Sequence, residues 1–270
     1  TKLLFVMFLI IVLTLLFLFF VVKIILKNIS FNETPFLNEY KFPRYLWIVL
    51  SGIFLSIVTL GIYIPWFIKN VFSYFTNNMS LKGYKPRFRG KGGDLFLIII
   101  LTVVIPLVWF FVLTIQIFGM NSVSLITQPL WKRALIQMGS YFLLIPYFYY
   151  SYKWYFNIRY KDFIIKWRTK LLPSMGKIAV QMFFSFISLG IYAPLAFLSL
   201  YKYFAENTES NIIDGKMLKF GYDIEPKKDF LLIWGQILLS VITLGIYYPW
   251  AFCKICSRIM AKTYIDVKSL

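Results

Sequence analysis

The chain has 270 residues, of which 60% are hydrophobic and only 15% are charged. Soluble domains have about 45–50% apolar residues and about a quarter charged ones, so a soluble fold of this length could not bury so much apolar surface. Two cysteines and no histidine exclude zinc sites, Ser-His-Asp triads and Cys-His pairs. The composition predicts a membrane protein with no metal site and no cofactor.

Several apolar segments have the length of a transmembrane helix, because a bilayer core of about 30 Å needs about 20 helical residues. The first, residues 3–22, has no charge and no small-residue cleavage site behind it, so we expect a retained helix rather than a signal peptide. The segments lack the alternating polar and apolar residues of transmembrane barrel strands. Because only helices and closed barrels span a membrane, we expect these segments to be helices. The predicted spans are residues 3–22, 45–64, 95–118, 134–150, 178–198 and 230–248.

The predicted fold class is therefore an all-α polytopic membrane protein with about six transmembrane helices and short surface hairpins between them, at residues 81–93 and 212–223. Strict alternation from a cytoplasmic start puts 18 of the 29 Lys and Arg on the cytoplasmic side. The positive-inside rule then predicts that both termini are cytoplasmic. With a net charge of +18, we expect the basic loops to contact anionic lipids of the cytoplasmic leaflet rather than nucleic acid.

A motif of the form S-x-x-[S/T]-L-G-I-Y-x-P occurs three times, which indicates an internal repeat. Tyr74, Tyr203 and Arg258 each follow its proline by nine residues, and a fainter fourth copy surrounds Pro146. The candidate structural site consists of four shared positions in each copy: Ser56, Gly61, Tyr63, Pro65, Ser185, Gly190, Tyr192, Pro194, Ser240, Gly245, Tyr247 and Pro249.

The spacing of the motif predicts a kinked or broken helix. A proline inside a helix clashes with the carbonyl four residues earlier, and that residue is the glycine in all three copies. Alternating spans put Gly190 on the opposite face from Gly61 and Gly245, the inverted arrangement of many transporters. The other interpretation is that one proline-led segment dips into the membrane and returns, so that all copies share a face.

The repeats divide the chain into five segments. Residues 1–44 are predicted to form the N-terminal helix and an outer loop, and residues 45–94 the first repeat with its basic loop. Residues 95–177 contain two middle spans and a second basic loop. The second and third repeats are residues 178–229 and 230–270.

The motif resembles a known family. The T-L-G-I-Y-x-P-W core, followed in the second copy by Asn207 and Thr208, is similar to the YjgN family, a bacterial inner-membrane domain of unknown function. K-P-R-F-R-G-K-G-G-D-L-F at residues 85–96 and K-F-G at residues 219–221 resemble the phenylalanine-glycine segments of that family. The resemblance covers residues 51–96 and 178–263 and implies a polytopic fold in the bacterial inner membrane, but no reaction.

Three further groups are candidate sites. The first is a basic loop that could bind lipid headgroups or could be an ordinary positive-inside loop: Lys82, Lys85, Arg87, Arg89 and Lys91. Gln181 and Gln236, nine residues before a motif glycine, either bond between helices or line a solute pathway. Cys253 and Cys256 form a C-x-x-C without further ligands, so we interpret them as ordinary small apolar residues.

No predicted span has Asp, Glu, Lys or Arg near its middle, which argues against an ion-coupled pump. The chain also lacks a histidine or a buried carboxylate that could activate a nucleophile. We predict no catalytic residues and a non-enzymatic integral membrane protein, a subunit or assembly partner that binds other membrane proteins. A passive or facilitated transporter or channel for a small solute or lipid is the alternative, and a lipid-handling enzyme is the least favoured.

Overall fold

The computed structural model describes residues 2–27, 30–31, 34–118 and 129–269. Its helices are α1 Lys2–Lys27, α2 Phe42–Val58, α3 Ile64–Asn77, α4 Gly92–Ile99, α5 Ile105–Phe118, α6 Leu130–Leu143, α7 Ile145–Tyr155, α8 Leu171–Ile187, α9 Ala193–Glu206, α10 Pro226–Ile242 and α11 Tyr248–Ala261. A π-helical turn, Ile100–Val104, joins α4 to α5. The strands are β1 Ser30–Phe31, β2 Thr34–Pro35, β3 Leu37–Asn38, β4 Met79–Ser80, β5 Arg87–Phe88, β6 Ile158–Tyr160, β7 Phe163–Trp167, β8 Thr208–Ser210, β9 Lys216–Tyr222 and β10 Thr263–Ser269.

Four units of one design make up the chain after α1. Each unit is a strand, an antiparallel pair of helical arms and a second strand, and its two strands pair with each other: β3 with β4, β5 with β6, β7 with β8, and β9 with β10. One backbone hydrogen bond of 2.9–3.0 Å closes every unit at the same place, between the N–H three residues before the first helix and the carbonyl just after the last one. It joins Glu39 to Asn78, Arg89 to Asn157, Arg168 to Asn207 and Asp223 to Lys262.

The second unit is the fainter fourth copy of the sequence repeat. Its outgoing arm is α4 and α5, and its returning arm is α6 and α7, interrupted at Leu144 just before Pro146. Trp154 in the last turns of α7 donates from Nε1 to the carbonyl of Lys91, which precedes α4 (2.9 Å). The unit therefore has the closure of the other three but longer arms.

Six of the strands form one antiparallel sheet with the order β10-β9-β8-β7-β6-β5. The chain is mainly helical, but it is not all-α, because the segments between the helices pair in this sheet. The predicted hairpin segments 81–93 and 212–223 each contain a tight turn, closed by the bridges Leu81–Tyr84 and Ile213–Lys216. The returning helices α7, α9 and α11 each end within a few residues of a strand of this sheet. The returning helix of the first unit, α3, is followed by β4 outside the sheet, but it contacts β5 of the sheet. All open ends therefore lie at the sheet, and the motif turns lie about 21 Å away, the length of a 14-residue helix.

This arrangement gives the three motif copies one common direction. Gly61, Gly190 and Gly245 all lie at the end of a unit that is remote from its strands. Strict alternation placed Gly190 opposite the other two, and it also separated residues 199–229 from the basic loops. The strands β8 and β9 instead put that segment in the same sheet as β5 and β6.

The units follow one another around a circle. α3 packs on α4, α7 on α8, and α9 on α10, while α1 packs on both α2 and α11 and so closes the circle. Aromatic residues dominate the packing of α1 against the first unit, where Phe19, Tyr40, Tyr45 and Tyr74 are buried together. A second cluster around Trp167 joins the second and third units.

Among the described residues, the segment Gly92–Gln116 is the one that is long and apolar enough to cross a membrane. The six predicted spans are thus not confirmed. α2 and α8 are apolar but have 17 residues each, and the predicted spans 45–64 and 178–198 run past their ends into the turns. The first predicted span, residues 3–22, lies within α1, where the side chains of residues 2–8, 10 and 11 are outside the described part.

Candidate functional site

The motif forms a tight turn between two helices rather than a kink in one helix. In the first copy the N–H of Gly61 donates to the carbonyl of Ser56 (2.7 Å), and the N–H of Leu60 donates to that of Ile57 (3.1 Å). These two bonds define a Schellman motif, which ends a helix with a left-handed residue. Leu60 has φ 49° and Gly61 has φ 91°, and the other two copies agree within a few degrees.

The glycine is needed for its backbone conformation, since a Cβ on Gly190 or Gly245 would meet no atom within 4 Å. The proline lies in the first turn of the following helix in every copy. A helix does not need an N–H at that position, so the predicted clash with the glycine carbonyl does not arise. That carbonyl instead accepts a bond from the residue three positions later.

Every backbone N–H of the turn has a partner inside the turn. In the first copy Thr59, Leu60, Gly61, Ile62 and Ile64 donate to backbone carbonyls. The hydroxyl of Thr59 accepts the remaining N–H, that of Tyr63, at 3.0 Å. Ser188 and Thr243 do the same for Tyr192 and Tyr247, which explains why this position requires only a hydroxyl.

The side chains of the turn are apolar and unusually exposed. Leu60, Leu189 and Leu244 are 94%, 93% and 93% exposed, and the isoleucines after the glycines are also exposed. None of the turns, residues 58–65, 187–194 and 242–249, contains Asp, Glu, Lys or Arg. The turns thus present apolar side chains outside, while all their backbone N–H groups are hydrogen-bonded.

The residue nine positions after each proline locks the open end of its hairpin. The Tyr74 hydroxyl accepts from the N–H of Lys41 (2.8 Å) and donates to its carbonyl (2.9 Å). The Tyr203 hydroxyl bonds Ser174 at 2.8 Å, and Arg258 donates to Asp229 at 3.0 Å. The sequence repeat showed these positions but not their partners, which lie at the start of the other helix.

In the fourth unit this lock is an ionic cluster. Asp229 is 1% exposed. Its carboxylate accepts hydrogen bonds from Arg258 and from the N–H of Glu225, and Lys262 Nζ donates to both of its oxygens (2.9 Å each). Burial alone would raise the pKa of Asp229, but the bonds from Lys262, Glu225 and Arg258 together hold it below its ordinary value. Burial and the nearby charge of Asp229 raise the pKa of Tyr222 to about 12.

Gln181 and Gln236 bond within their own hairpins. The Tyr192 hydroxyl donates to Oε1 of Gln181 (2.9 Å), and Tyr247 donates to Gln236 in the same way (3.0 Å). The motif serines Ser56, Ser185 and Ser240 donate to helix carbonyls four residues earlier. In the first copy Gly52 replaces the glutamine, and the ring of Phe67 fills the space that a Cβ would need.

Three cavities accompany the hairpins. Gln181 and Ser185 line one of about 570 Å³, Gln236 and Ser240 line a separate one of about 640 Å³, and both are otherwise mainly apolar. A third, of about 590 Å³, lies where α1, α3 and α11 meet, and its lining is almost wholly apolar. Gln181 and Gln236 therefore do not share one polar cavity.

The basic loop is divided by the sheet. Lys85 and Arg87 line a cleft of about 260 Å³ together with Tyr84, Arg159 and Lys161. Arg159 and Lys161 belong to the C-terminal segment of the second unit, at and just after β6. Arg89 and Lys91 lead into α4 instead, and Lys82 lies in a tight turn with φ 51°. Sequence reasoning missed Arg159 and Lys161 because they lie near Arg87 only when β5 pairs with β6.

Glycines in this region permit close packing. A Cβ on Gly90 would collide with Phe88 and Trp154, and one on Gly92 with Trp66.

Cys253 and Cys256 are partly buried in α11, and Cys256 contributes to the apolar cavity between α1, α3 and α11. Within the described part of the chain, no three His, Cys, Asp or Glu residues are placed to hold a metal ion.

Comparison with known proteins gives one family and no characterised relative. No curated protein and no solved structure matches the chain. The family match includes α1, the first hairpin and the start of β5, whereas the later stretch of resemblance, residues 178–263, lies outside it. Residues 1–87 match the model of the family described as "Bacterial protein of unknown function (DUF898)", the YjgN family, which confirms the resemblance that the repeated motif predicted.

Proposed function

We propose that the chain is a non-enzymatic integral membrane protein of the bacterial inner membrane, and that it serves as a subunit or assembly partner of other membrane proteins. The structure of the motif turn is the observation that supports a position in the membrane. Backbone N–H and C=O groups in hydrocarbon must be satisfied internally, at several kcal/mol for each one that is not. Turns with exposed leucines outside and a partner for every backbone N–H inside meet the donor half of that requirement.

The arms of three units are too short for a full crossing. Helices of 17 residues are about 25 Å long, compared with a hydrocarbon core of about 30 Å. In our proposal the first, third and fourth hairpins enter the bilayer from the sheet side, and their turns end inside it. The second unit, through Gly92–Gln116, crosses completely and returns by α6 and α7.

The charges support a cytoplasmic position for the sheet. Its strands and the loops beside them contain the basic residues of the 82–91 and 159–170 segments, whereas the turns contain none. By the positive-inside rule, this distribution supports a cytoplasmic sheet. The C-terminal half of α1 contacts β3 at the open end of the first unit. In our proposal a crossing α1 therefore has Lys2 on the opposite side of the membrane, unlike the expectation that both termini are cytoplasmic.

The depth of the turns can be measured directly. In a variant with Cys253 and Cys256 replaced by serine, single cysteines at Leu60, Leu189 and Leu244 are expected to resist membrane-impermeant maleimide from either side. They should react once the membrane is dissolved in detergent. A cysteine at Ile212, in the exposed turn before β9, is the matched control and should react from the cytoplasmic side. Reaction of the turn cysteines from the outer side would show full crossings instead.

The assembly role is supported by the hydrogen bonds of the polar side chains between the helices, which stay within single hairpins. Gln181 and Gln236 bond tyrosines of their own hairpins, and the cavity between α1, α3 and α11 is almost wholly apolar, so the polar lining of a solute pathway is missing from the described residues. We expect the protein, extracted in mild detergent at its natural level, to elute with a membrane protein in fixed stoichiometry. A lone oligomer that releases a small solute from proteoliposomes would overturn this role in favour of a transporter.

A further inference from the structure

The outer face of the six-stranded sheet carries a row of charges whose signs alternate at one end and coincide at the other. On this face Lys166 lies opposite Glu209, Glu209 opposite Lys219, and Lys219 opposite Asp266. Opposite charges directly across a sheet stabilise the pairing, and like charges destabilise it. This part of the sheet follows that rule.

The other corner of the same face breaks the rule. Arg87 of β5 lies directly opposite Arg159 of β6, and Lys85 and Lys161 border the same cleft. Among the described residues, Arg87 has no carboxylate within ion-pair distance, while Lys85 pairs with Glu39 at 2.6 Å and Arg159 approaches Asp162 at 3.9 Å. Four basic side chains thus face two exposed carboxylates, and the corner keeps an excess of positive charge.

The cleft has the size and groups to hold an anion. Its volume is about 260 Å³, and guanidinium groups bind phosphate oxygens through paired N–H donors. Lys161 Nζ lies 3.9 Å from the centre of the Tyr84 ring, so the aromatic face holds this ammonium group at the edge of the cleft. The Tyr160 hydroxyl donates to the carbonyl of Leu81 (2.9 Å), which ties the 81–84 turn to β6 beside it.

We propose that this cleft is a binding site for a phosphate group, bound between Arg87 and Arg159 with Lys85 and Lys161 at its sides. Phe88, which neighbours Arg87 on the other face of β5, packs on Phe72 and Trp154 of the hairpins. Arg87 and Arg159 therefore lie on the face that points away from the hairpins, where a soluble phosphorylated compound reaches them freely. A phospholipid headgroup presents the same chemistry. The site does not depend on the depth of the hairpins and is testable in detergent.

The test compares two double variants on the same sheet face. Inorganic phosphate is titrated into the purified full chain, with binding measured by calorimetry and the unfolding temperature measured in parallel. The R87Q/R159Q variant is expected to lose phosphate binding at least tenfold and to lose the rise in unfolding temperature that phosphate gives the natural chain. Without phosphate this variant should be as stable as the natural chain or more so, because a like-charge pair has been removed.

The matched control is K166Q/K219Q, which removes two lysines whose charges are compensated on the same face. It should bind phosphate as the natural chain does. A second arm titrates anionic phosphatidylglycerol, against phosphatidylcholine, into each protein and counts retained lipids by native mass spectrometry. Loss with R87Q/R159Q in that arm alone would identify a headgroup as the source of the phosphate.

Equal binding by R87Q/R159Q and the natural chain in both arms would overturn the proposal, as would absence of binding in both. Equal losses in the two double variants would also overturn it, because they would indicate a response to overall charge rather than a site. A test with chloride in place of phosphate, at the same ionic strength, separates screening from binding.

Discussion

At the scale of single residues, the leucine and glycine of each turn carry the largest conformational constraint. Leu60, Leu189 and Leu244 adopt left-handed backbone angles near 50°, which cost a non-glycine residue about 1–2 kcal/mol. The neighbouring glycines adopt φ of 86–91°, where alanine would be strained as well. The glycine recurs in every copy because the Schellman bonds and the reversal of the chain require its angle, whereas the leucine recurs despite the cost of its own angle.

Gly190→Ala tests this constraint without creating a clash. The added methyl group meets no atom within 4 Å, so we expect the free energy of unfolding to fall by about 1–2 kcal/mol for conformational reasons alone. Gly176→Ala is the matched control, because Gly176 lies inside α8 and also has open space around its Cβ. That change should raise stability by about 0.5–1 kcal/mol. Equal effects of the two substitutions on denaturant unfolding in detergent would refute the explanation.

The buried carboxylate of Asp229 makes stability depend on pH in the acid range. Its pKa in the folded chain is lowered, so the folded state holds the proton less tightly than the unfolded state, whose value is about 3.9. The stabilisation is therefore fully present above the unfolded pKa and is lost as the pH falls through the folded pKa. We expect the unfolding free energy of the natural chain to drop below about pH 4.

Asp229→Asn should flatten that acid decline, since the titrating group is gone, and should lower stability near neutral pH. Glu206→Gln is its control, because Glu206 forms an exposed pair with Lys202 at 3.7 Å, and exposed pairs contribute about 0–1 kcal/mol. The comparison requires unfolding free energies at several pH values for all three proteins. An unchanged acid decline in Asp229→Asn would assign it to other carboxylates.

At the scale of elements, each hairpin is held at both ends by different chemistry. The remote end is closed by the Schellman turn, and the open end is closed by a side chain that reaches the start of the partner helix. Tyrosine, tryptophan, tyrosine and arginine perform this role in the four units, with partners at Lys41, Lys91, Ser174 and Asp229. The tryptophan lies eight residues after its proline and the other three lie nine residues after theirs, so different side chains close the open end from nearly the same place.

Tyr74→Phe removes this closure from the first unit. The hydroxyl both accepts from and donates to the backbone of Lys41. Its loss leaves the N–H of Lys41 without that partner, while the carbonyl keeps the bond from the N–H of Tyr45 (3.2 Å). We expect a loss of about 1–3 kcal/mol in unfolding free energy. Tyr141→Phe is the matched control, because Tyr141 is 45% exposed and should change stability by less than about 0.5 kcal/mol. A loss of the same size in Tyr141→Phe would show that the lock contributes nothing special.

At the scale of the whole molecule, the sheet fixes the direction of every hairpin. Strands from the second, third and fourth units pair in one sheet, so their open ends cannot lie on opposite sides of a bilayer. The first unit joins them through β5, which lies within the basic loop and contacts α3. The inverted arrangement of the Gly190 copy is incompatible with this pairing.

Cysteine labelling distinguishes the two topologies in intact cells. With the natural cysteines replaced by serine, Tyr84→Cys and Ile212→Cys are expected to react from the same side, because both positions lie in turns beside the sheet. Strict alternation places residue 84 inside and residue 212 outside. Reaction of the two cysteines from opposite sides of the membrane would therefore contradict the fold itself.

The sequence by itself determined the local features of this protein. The repeat, the break at the glycine, the apolar helices and the family resemblance follow from residues that are close together in the chain. It could not show where the helices end, because the Leu-Gly-Ile of each turn is as hydrophobic as the helix before it. The predicted spans therefore ran through the turns and lengthened helices of 17 residues into segments of about 20.

Only the tertiary structure decided the sheet, the common direction of the turns and the basic cleft. Strands of two to seven residues carry too little pattern to reveal partners, and β5 pairs with β6 only after the long arms of the second unit have returned. That pairing sets Arg87 opposite Arg159, so a loop predicted from local charge became part of a cleft shared by two distant segments. Pairing between distant strands depends on the packing of the units around the circle, which no local pattern encodes.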